Sequence, residues 1–264
     1  SLSGSRGVIR ADDPAGVVAA GRRARATMAD AGEDPGGTIL VEAFVAGPEV
    51  AVEGLLRGSE LEVLAIFDKP DPLEGPYFEE TIYVTPSRLP ASVQEEVAGV
   101  VGAGVAAVGL VEGPIHAEVR LGRQGPVLLE VAARSIGGLC SRALRFGAGI
   151  SLEEVILRHA VGLELQDLHR EERAAGVMMV PIPRSGVLEE VRGVDRARAV
   201  PGVEGVEVTI PRGHRVRALP EGDRYLGFVF ARAGSPQAVE ESLRTAFSCL
   251  GVVVTDTGAG AGSR

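Results

Sequence analysis

The chain has 264 residues, of which 45% are hydrophobic, and its formal net charge is -9. It is long enough to bury a real core, as one large domain or two modest ones, and its acidic balance argues against a nucleic-acid-binding protein, which would need a basic face. No apolar run reaches the length of a membrane span, and two cysteines are too few for a disulfide framework or a zinc site, so we expect a cytoplasmic protein without a membrane partner.

The chain opens on a glycine–serine loop. Ser3–Gly7 runs into a short predicted strand with no strand before it, and a domain rarely starts within a loop. We therefore expect the natural protein to extend further toward its N-terminus. Asp12 to Pro14 then offers an acidic cap and a first-turn proline, and the helix that they open is predicted to run to about Gly32.

The next part of the chain predicts an antiparallel sheet with helices packed on it. Short links join its apolar runs, and such links are too short for the crossovers that parallel strands need. Capping boxes at Ser92–Glu95 and Ser151–Glu154 each open a helix. The predicted strands are 38–45, 49–56, 61–68, 115–121 and one that starts at 126, and the two helices end near 108 and 161.

A charged stretch at about residues 166–175 marks a predicted domain boundary. Beyond it short strands alternate with turns, and Ser235-Pro236 caps a last helix that ends near Leu250. We predict an α+β fold, an α/β sandwich with an antiparallel sheet and flanking helices, followed by a small mixed α+β lobe. The predicted division is 1–172, 173–254 and a disordered tail at 255–264.

Two carboxylates lie on the predicted hairpin that follows the second helix. The turn Gly122–Gly125 would set Glu118 and Glu130 roughly opposite each other, and two like charges so placed need a cation between them. Mg²⁺ takes carboxylate oxygens and completes its shell with water and phosphate. Arg134 could clamp a phosphate or a carboxylate. The alternative is a plain hairpin whose glutamates face solvent.

These stretches resemble the ATP-grasp superfamily, in particular its carboxylate–amine ligases such as the L-amino-acid (dipeptide) ligases, over residues 1 to about 172. In that family the second metal carboxylate sits in a Glu-x-Asn-x-Arg-like run, and here the run is Glu130-Val-Ala-Ala-Arg134. Alanine replaces asparagine, which removes one metal ligand, although the Glu-x-Ala-Ala-Arg form is itself similar to the dipeptide ligases. Residues 176–250 resemble the extra C-terminal domain of these ligases, to which we assign no catalysis.

The resemblance implies an ATP pocket. Glu42, with the backbone of Ala43 and Val45, would face adenine, and Glu49 would accept from the ribose hydroxyls; the alternatives are an edge glutamate and a turn glutamate. Lys69 would reach a phosphate, unless it is a solvated loop lysine. The loop that closes over the phosphates would be Ser3, Gly4, Ser5 and Arg6, for which a disordered terminus is the alternative.

The resemblance also implies a substrate side. Phe78–Tyr83 is similar to the family's substrate-facing Phe-x-Glu segment, which makes Glu80 a candidate for binding the substrate amino group. Tyr83 stands where related ligases use histidine. Arg134 would steady the transferred phosphoryl group or the tetrahedral intermediate. His116, beside the hairpin, is more typical of a structural histidine than of a site residue.

The function implied by the resemblance is an ATP- and Mg²⁺-dependent ligase, with Mn²⁺ as an alternative ion, that forms an amide or peptide bond through an acyl phosphate. Its partners would be a small-molecule carboxylate, a small-molecule amine and an N-terminal domain of the same protein, with no nucleic acid or membrane; a homodimer is left open. Alone, the fragment is expected to be inactive or nearly so. The alternatives are a carboxylase of the same fold and a nucleotide-binding module without catalysis.

Overall fold

The computed structural model describes residues 4–147, 149–165 and 167–256. Ser3 and the tail from residue 257 lie outside these ranges, so the predictions made for them are not addressed. The helices are α1 (Pro14–Asp30), α2 (Ala91–Ala107), α3 (Leu152–Ala160), α4 (Val194–Arg198) and α5 (Pro236–Cys249). The strands are β1 (Glu49–Arg57), β2 (Glu60–Lys69), β3 (Ile82–Thr85), β4 (Gly113–Gly122), β5 (Gly125–Ala132), β6 (Ala174–Val180), β7 (Gly186–Arg192), β8 (Val203–Val208), β9 (Arg215–Val216), β10 (Gly227–Ala233) and β11 (Gly251–Thr255).

One antiparallel sheet organises the described residues. Its strands lie in the order β5-β4-β1-β2-β3-β6-β10-β8, and β11, β7 and β9 form a smaller sheet. Helix α2 packs on β5 and β2, and α5 packs on β10 and β6, so helices flank the sheet as predicted for an α+β fold. The large sheet crosses the predicted boundary near residue 172, because β3 pairs with β6. The division into domains there stays a prediction.

Strand β1 lies at the centre of the sheet's first half and is buried on both faces. Val52 and Leu56 point toward α2, where they pack against Val101 and its neighbours. Ala51 and Leu55 point the other way, into a core that contains Phe67 and Tyr83. Because side chains alternate along a strand, Glu49 and Glu53 share the face of Ala51 and Leu55. The charged residues of β1 therefore lie on the face opposite α2.

The predicted strand at 38–45 is wrong. These residues form no helix or strand, and Leu40 is 77% exposed. Their backbone has no neighbouring strand to pair with among the described residues, and apolar character alone does not make a strand.

The predicted helix caps were tested by the hydrogen bonds at the helix starts. Ser151 and Ser235 accept from Glu154 and Ala238 backbone N–H groups, which confirms both caps. The predicted cap at Ser92 is wrong, because α2 begins at Ala91 with Pro90 as its cap. No helix among the described residues combines the length and the apolar character needed to cross a membrane.

Candidate active site

One face of the sheet collects charged side chains from four neighbouring strands. Cross-strand partners in an antiparallel pair have side chains on the same face. Glu49 pairs with Lys69 on one side and with Arg120 on the other, and Glu118 pairs with Glu130 across the predicted hairpin. The residues of this face, which we call the charged face, are Glu49 and Glu53 of β1, Lys69 of β2, His116, Glu118 and Arg120 of β4, and Glu130 of β5.

Lys69 lies at the centre of this face, and its side chain is only 3% exposed. Its Nζ lies 2.6 Å from Glu49 Oε1 and 3.2 Å from Glu118 Oε1, and it also donates to Glu80 Oε1. This burial excludes the alternative of a solvated loop lysine. The three carboxylates can bring one ligand oxygen each within 4.8 Å of one another. Lys69 therefore offsets part of the negative charge of the three carboxylates from within the cluster.

The ion cluster shifts the protonation of its members. Burial would lower the pKa of Lys69, but the charges of Glu80, Glu118 and Glu49 outweigh it and hold that pKa well above its usual value. Burial would raise the pKa of Glu118, but the Lys69 charge and contact with His116 hold it well below its usual range. Glu118 is thus an anion and Lys69 a cation across the whole neutral range.

The amino-acid composition also distinguishes Lys69, and the sequence analysis did not use this. The chain has 27 lysine and arginine residues, of which Lys69 is the single lysine. Arginine therefore serves every other basic position, including the exposed ones. A compact ammonium is retained only where it is buried among carboxylates, a geometry that a planar guanidinium does not reproduce.

The predicted metal pair, Glu118 and Glu130, lies on adjacent strands in direct register. The register shifts between Glu118 and Val119, so that Leu129 of β5 forms a bulge beside the pair. The Glu118 side chain is 22% exposed and that of Glu130 58%, with Arg134 Nη2 3.9 Å from Glu130 Oε1. Carboxylate oxygens on one face, with Glu130 open to solvent, are the ligand type that a hard divalent ion takes.

The two candidate nucleotide carboxylates differ in their surroundings. Both oxygens of Glu49 are engaged, one by Lys69 and the other by Arg120 Nε at 2.7 Å, whereas Glu42 and Ala43 are exposed. Arg120 also donates to the Val45 carbonyl at 2.7 Å. The sequence analysis missed Arg120, which joins the predicted adenine segment to the predicted ribose carboxylate. The ribose and adenine roles themselves stay predictions.

On the predicted substrate side, Glu80 accepts from the Tyr83 hydroxyl at 2.6 Å as well as from Lys69. Burial raises the pKa of Glu80, and the Lys69 charge opposes that rise. Arg134 is half exposed and donates to the Ser135 carbonyl at 2.9 Å. Glu80 therefore lies in the ion cluster, whereas Arg134 lies at its solvent side beside Glu130.

The predicted phosphate loop is described from Gly4 onward. Its backbone turns through positive φ at Gly4, Ser5 and Gly7, and the Gly7 N–H donates to the Pro220 carbonyl at 3.0 Å. Arg6 Nε is buried and has no hydrogen-bond partner. The role of this loop over the phosphates stays a prediction.

A second buried pair lies beneath the metal candidates and was not foreseen. Glu53 is 1% exposed, accepts from the Ile136 N–H at 3.0 Å, and is hydrogen-bonded to His116 Nδ1. His116 Nε2 lies 3.7 Å from Glu118 Oε1. Burial would lower the pKa of His116, but its contacts with Glu118 and Glu53 raise it to about 9. The two neighbouring carboxylates therefore favour the protonated form of His116.

Two protein-family models match this chain. The model described as "ATP-grasp domain" matches residues 1–143, more than half of the chain. The chain belongs to the ATP-grasp family. A second model, described as "L-amino acid ligase C-terminal domain 2", matches residues 178–255 of this ATP-grasp chain. Both parts of the predicted resemblance are confirmed.

Solved ATP-grasp structures have the same fold. An L-amino acid ligase from Bacillus licheniformis is 27% identical, with a TM-score of 0.80 over 94% of this chain and 62% of that one. The biotin carboxylase domain of the Hydrogenobacter thermophilus 2-oxoglutarate carboxylase is 16% identical, with a TM-score of 0.65 over 96% of this chain and 56% of that one. The second likeness shows the fold alone.

Among curated sequences, the protein described as "Uncharacterized protein y4rH" from Sinorhizobium fredii is 28% identical over 212 residues. The match takes in 80% of this ATP-grasp chain but 43% of that protein. The chain thus spans less than two thirds of the length of either the solved ligase or this relative.

Proposed function

We propose that the chain is the ATP- and metal-binding part of a ligase that joins a small-molecule carboxylate to an amine, with ATP converted to ADP and phosphate. The observation that carries this proposal is the charged face, on which Glu118 and Glu130 lie opposite each other and Lys69 lies between three carboxylates. Family membership, the match of residues 178–255 to an L-amino acid ligase domain and the likeness to a solved L-amino acid ligase support the same function.

The proposed roles follow from the chemistry of each side chain. Glu118 and Glu130 would hold Mg²⁺, or Mn²⁺, which supplies positive charge to the ATP phosphates when bound. Lys69, enclosed by Glu49, Glu80 and Glu118, would add positive charge to the same face from within the cluster. Phosphoryl transfer mostly requires a protein to position the reactants and to stabilise charge. Metal-binding carboxylates and a lysine can provide both.

The proposed reaction has two steps. An oxygen of the substrate carboxylate attacks the γ-phosphorus of ATP, the bond to the β-phosphate oxygen breaks, and ADP leaves. The amine then attacks the carbonyl carbon of the acyl phosphate, loses a proton and expels phosphate. Arg134 would stabilise the charge that develops on the transferred group, and Glu80 would bind the ammonium of an amino-acid substrate.

The test uses the full-length protein that contains this chain. Phosphate release from ATP is measured with pairs of amino acids and, separately, with bicarbonate. We expect release that depends on amino acids and product of the mass of a dipeptide or related amide. Release that depends on bicarbonate instead would replace the ligase by a carboxylase, and ATP binding without any turnover would leave a binding module.

The residue test is Glu130→Gln, which keeps the shape of the side chain but removes its charge. We expect amino-acid-dependent phosphate release to fall by about 100-fold or more, because the metal loses an anionic ligand. Glu60→Gln, the same change at an exposed glutamate at the start of β2, is the matched control and should leave the rate unchanged. Near-normal turnover by Glu130→Gln would rule out the metal role.

The 264-residue chain by itself is expected to turn over ATP poorly. The solved ligase to which it is similar is longer, and the chain covers 62% of it. Comparison of the fragment with the full-length protein in the same phosphate-release assay measures this directly.

A further inference from the structure

Glu53 and His116 are buried ionisable residues that the proposed reaction does not use. They are direct partners across β1 and β4, on the same face as Glu118. Burial of a charged pair costs free energy that an apolar pair of similar size would not cost. Their presence in the sheet is therefore not explained by stability, and their contacts point toward the site.

The first of these contacts reaches the metal candidate. His116 uses Nδ1 for Glu53, which leaves Nε2 directed toward Glu118, at 3.7 Å from its Oε1. The same Glu118 oxygen lies 3.2 Å from Lys69 Nζ. Two nitrogens, one from β2 and one from β4, thus lie beside the same Glu118 oxygen and restrain the direction of its side chain.

The second contact reaches the loop after β5. The Ile136 N–H donates to Glu53 Oε2 at 3.0 Å, and Ile136 is itself buried in the core on this side of the sheet. Ile136 lies in the Ser135–Gly138 segment that directly follows Arg134. Glu53 thus holds, through one oxygen each, His116 on β4 and the loop that carries Arg134.

We propose that Glu53 and His116 form a positioning pair that orients the Glu118 carboxylate toward the metal and ties the Ser135–Gly138 loop to the same sheet. This proposal rests on the metal role of Glu118 in the proposed function. Groups that orient a metal ligand through a hydrogen bond or ion pair typically change metal affinity by 10- to 100-fold when they are removed. Because Glu53 and His116 are both buried, the pair acts through Glu118 and through the loop.

The test separates the two nitrogens of His116. Asparagine presents its amide near the position of Nδ1, so His116→Asn keeps the donor to Glu53 and loses the contact with Glu118. Glutamine reaches the position of Nε2, so His116→Gln keeps the contact with Glu118 and loses the donor to Glu53. Mn²⁺ affinity is measured by electron paramagnetic resonance in the presence of ADP, which needs no turnover.

We expect His116→Asn to weaken Mn²⁺ binding by about tenfold or more, and His116→Gln, which keeps the contact with Glu118 but loses its support from Glu53, to weaken it clearly less. His159→Gln is the matched control: His159 pairs with Glu112 at 2.8 Å, neither residue belongs to the charged face, and the substitution should leave Mn²⁺ affinity unchanged. Equal effects of the two His116 substitutions, or no effect of either, would overturn the proposal.

Two further variants test the proposal if His116→Asn does not fold or if Glu118 does not bind the metal. If His116→Asn does not fold, Glu53→Gln takes its place, because its amide oxygen still accepts from Ile136 while its negative charge is gone; unchanged Mn²⁺ affinity in that variant would also overturn the proposal. Glu118→Gln tests the foundation separately. If it binds Mn²⁺ as well as the unchanged protein, the proposed metal role of Glu118 is wrong, whatever His116 does.

Discussion

Lys69 is the residue through which this chain uses lysine in one environment alone. It is the single lysine of a chain whose other basic side chains, apart from histidine, are arginines. Its ammonium lies among Glu49, Glu80 and Glu118, where three rotatable donors can serve three acceptors that come from different directions.

Removal of this cation should be costly for the fold itself. We expect Lys69→Met to lower the free energy of unfolding by about 3–5 kcal/mol, because it leaves buried carboxylates without their counter-charge. Urea unfolding of the 264-residue chain measures the change. Arg57→Met is the control: Arg57 pairs with Glu62 at the exposed end of the same strands, and its loss should cost less than about 1 kcal/mol.

Equal costs for Lys69→Met and Arg57→Met would contradict the account of Lys69 as the buried centre of the cluster. A stabilised Lys69→Met would contradict it more strongly, since the three carboxylates would then have no need of a cation.

At this scale the sequence predicted some site residues and missed others for a physical reason. Glu80 and Glu118 were predicted, and the fold brings both to Lys69. Arg120 and Glu53 were not singled out, because a charged residue on a strand is usually solvated, and His116 was interpreted as a structural histidine. Only the register between β1 and β4 reveals that these residues face one another in the interior.

The sequence predicted helices and strands best where a local feature, such as a turn glycine or a helix cap, determines the structure. The hairpin of β4 and β5 follows from its glycine-flanked turn, and the helices that begin at Leu152 and Pro236 follow from their serine caps. The sequence analysis gave no strand at β7 or β11, which pair with each other across about sixty residues. Pairing between such distant segments leaves no local signal.

Helix α2 offers a test of packing between elements. Its Gly102 has open space where a Cβ would lie, whereas a Cβ on Gly104 would lie 2.3 Å from Leu128 Cδ2 of β5. We expect Gly102→Ala to stabilise the chain by up to about 1 kcal/mol through helix propensity. Gly104→Ala should lose most or all of that gain, because Leu128 must move away.

Urea unfolding of the two α2 variants measures this difference. Gly99→Ala serves as a second control, since its Cβ would also meet open space. Equal stabilisation by Gly102→Ala and Gly104→Ala would mean that α2 does not approach β5 as closely as the structure has it.

At the scale of the whole molecule, the two segments that match different family models share one sheet. Strand β3 of the first segment pairs with β6, which enters the second segment at Met178, and Arg88 bridges Asp68 of β2 and Glu240 of α5 at 2.7 and 2.8 Å. Backbone hydrogen bonds between β3 and β6 and the two ion pairs of Arg88 therefore join the two segments.

We therefore expect the 264-residue chain to unfold in a single cooperative transition. Native-state hydrogen exchange should give the amides of β3 and β6 the same opening free energy, because neither strand can separate without breaking their common ladder. Two resolved transitions in urea, with β6 and β10 lost before β3, would show instead that the second segment is an independent unit.

The solitary lysine has a consequence for regulation. Enzymes that attach acetyl groups or small protein tags to side-chain amines need that amine to be reachable and deprotonated. This chain offers them one such atom, and three anions keep it enclosed and protonated. Enzymes that modify lysine side chains therefore cannot act on this chain while it is folded. An amine-reactive reagent would label Lys69 only after the sheet around it has opened.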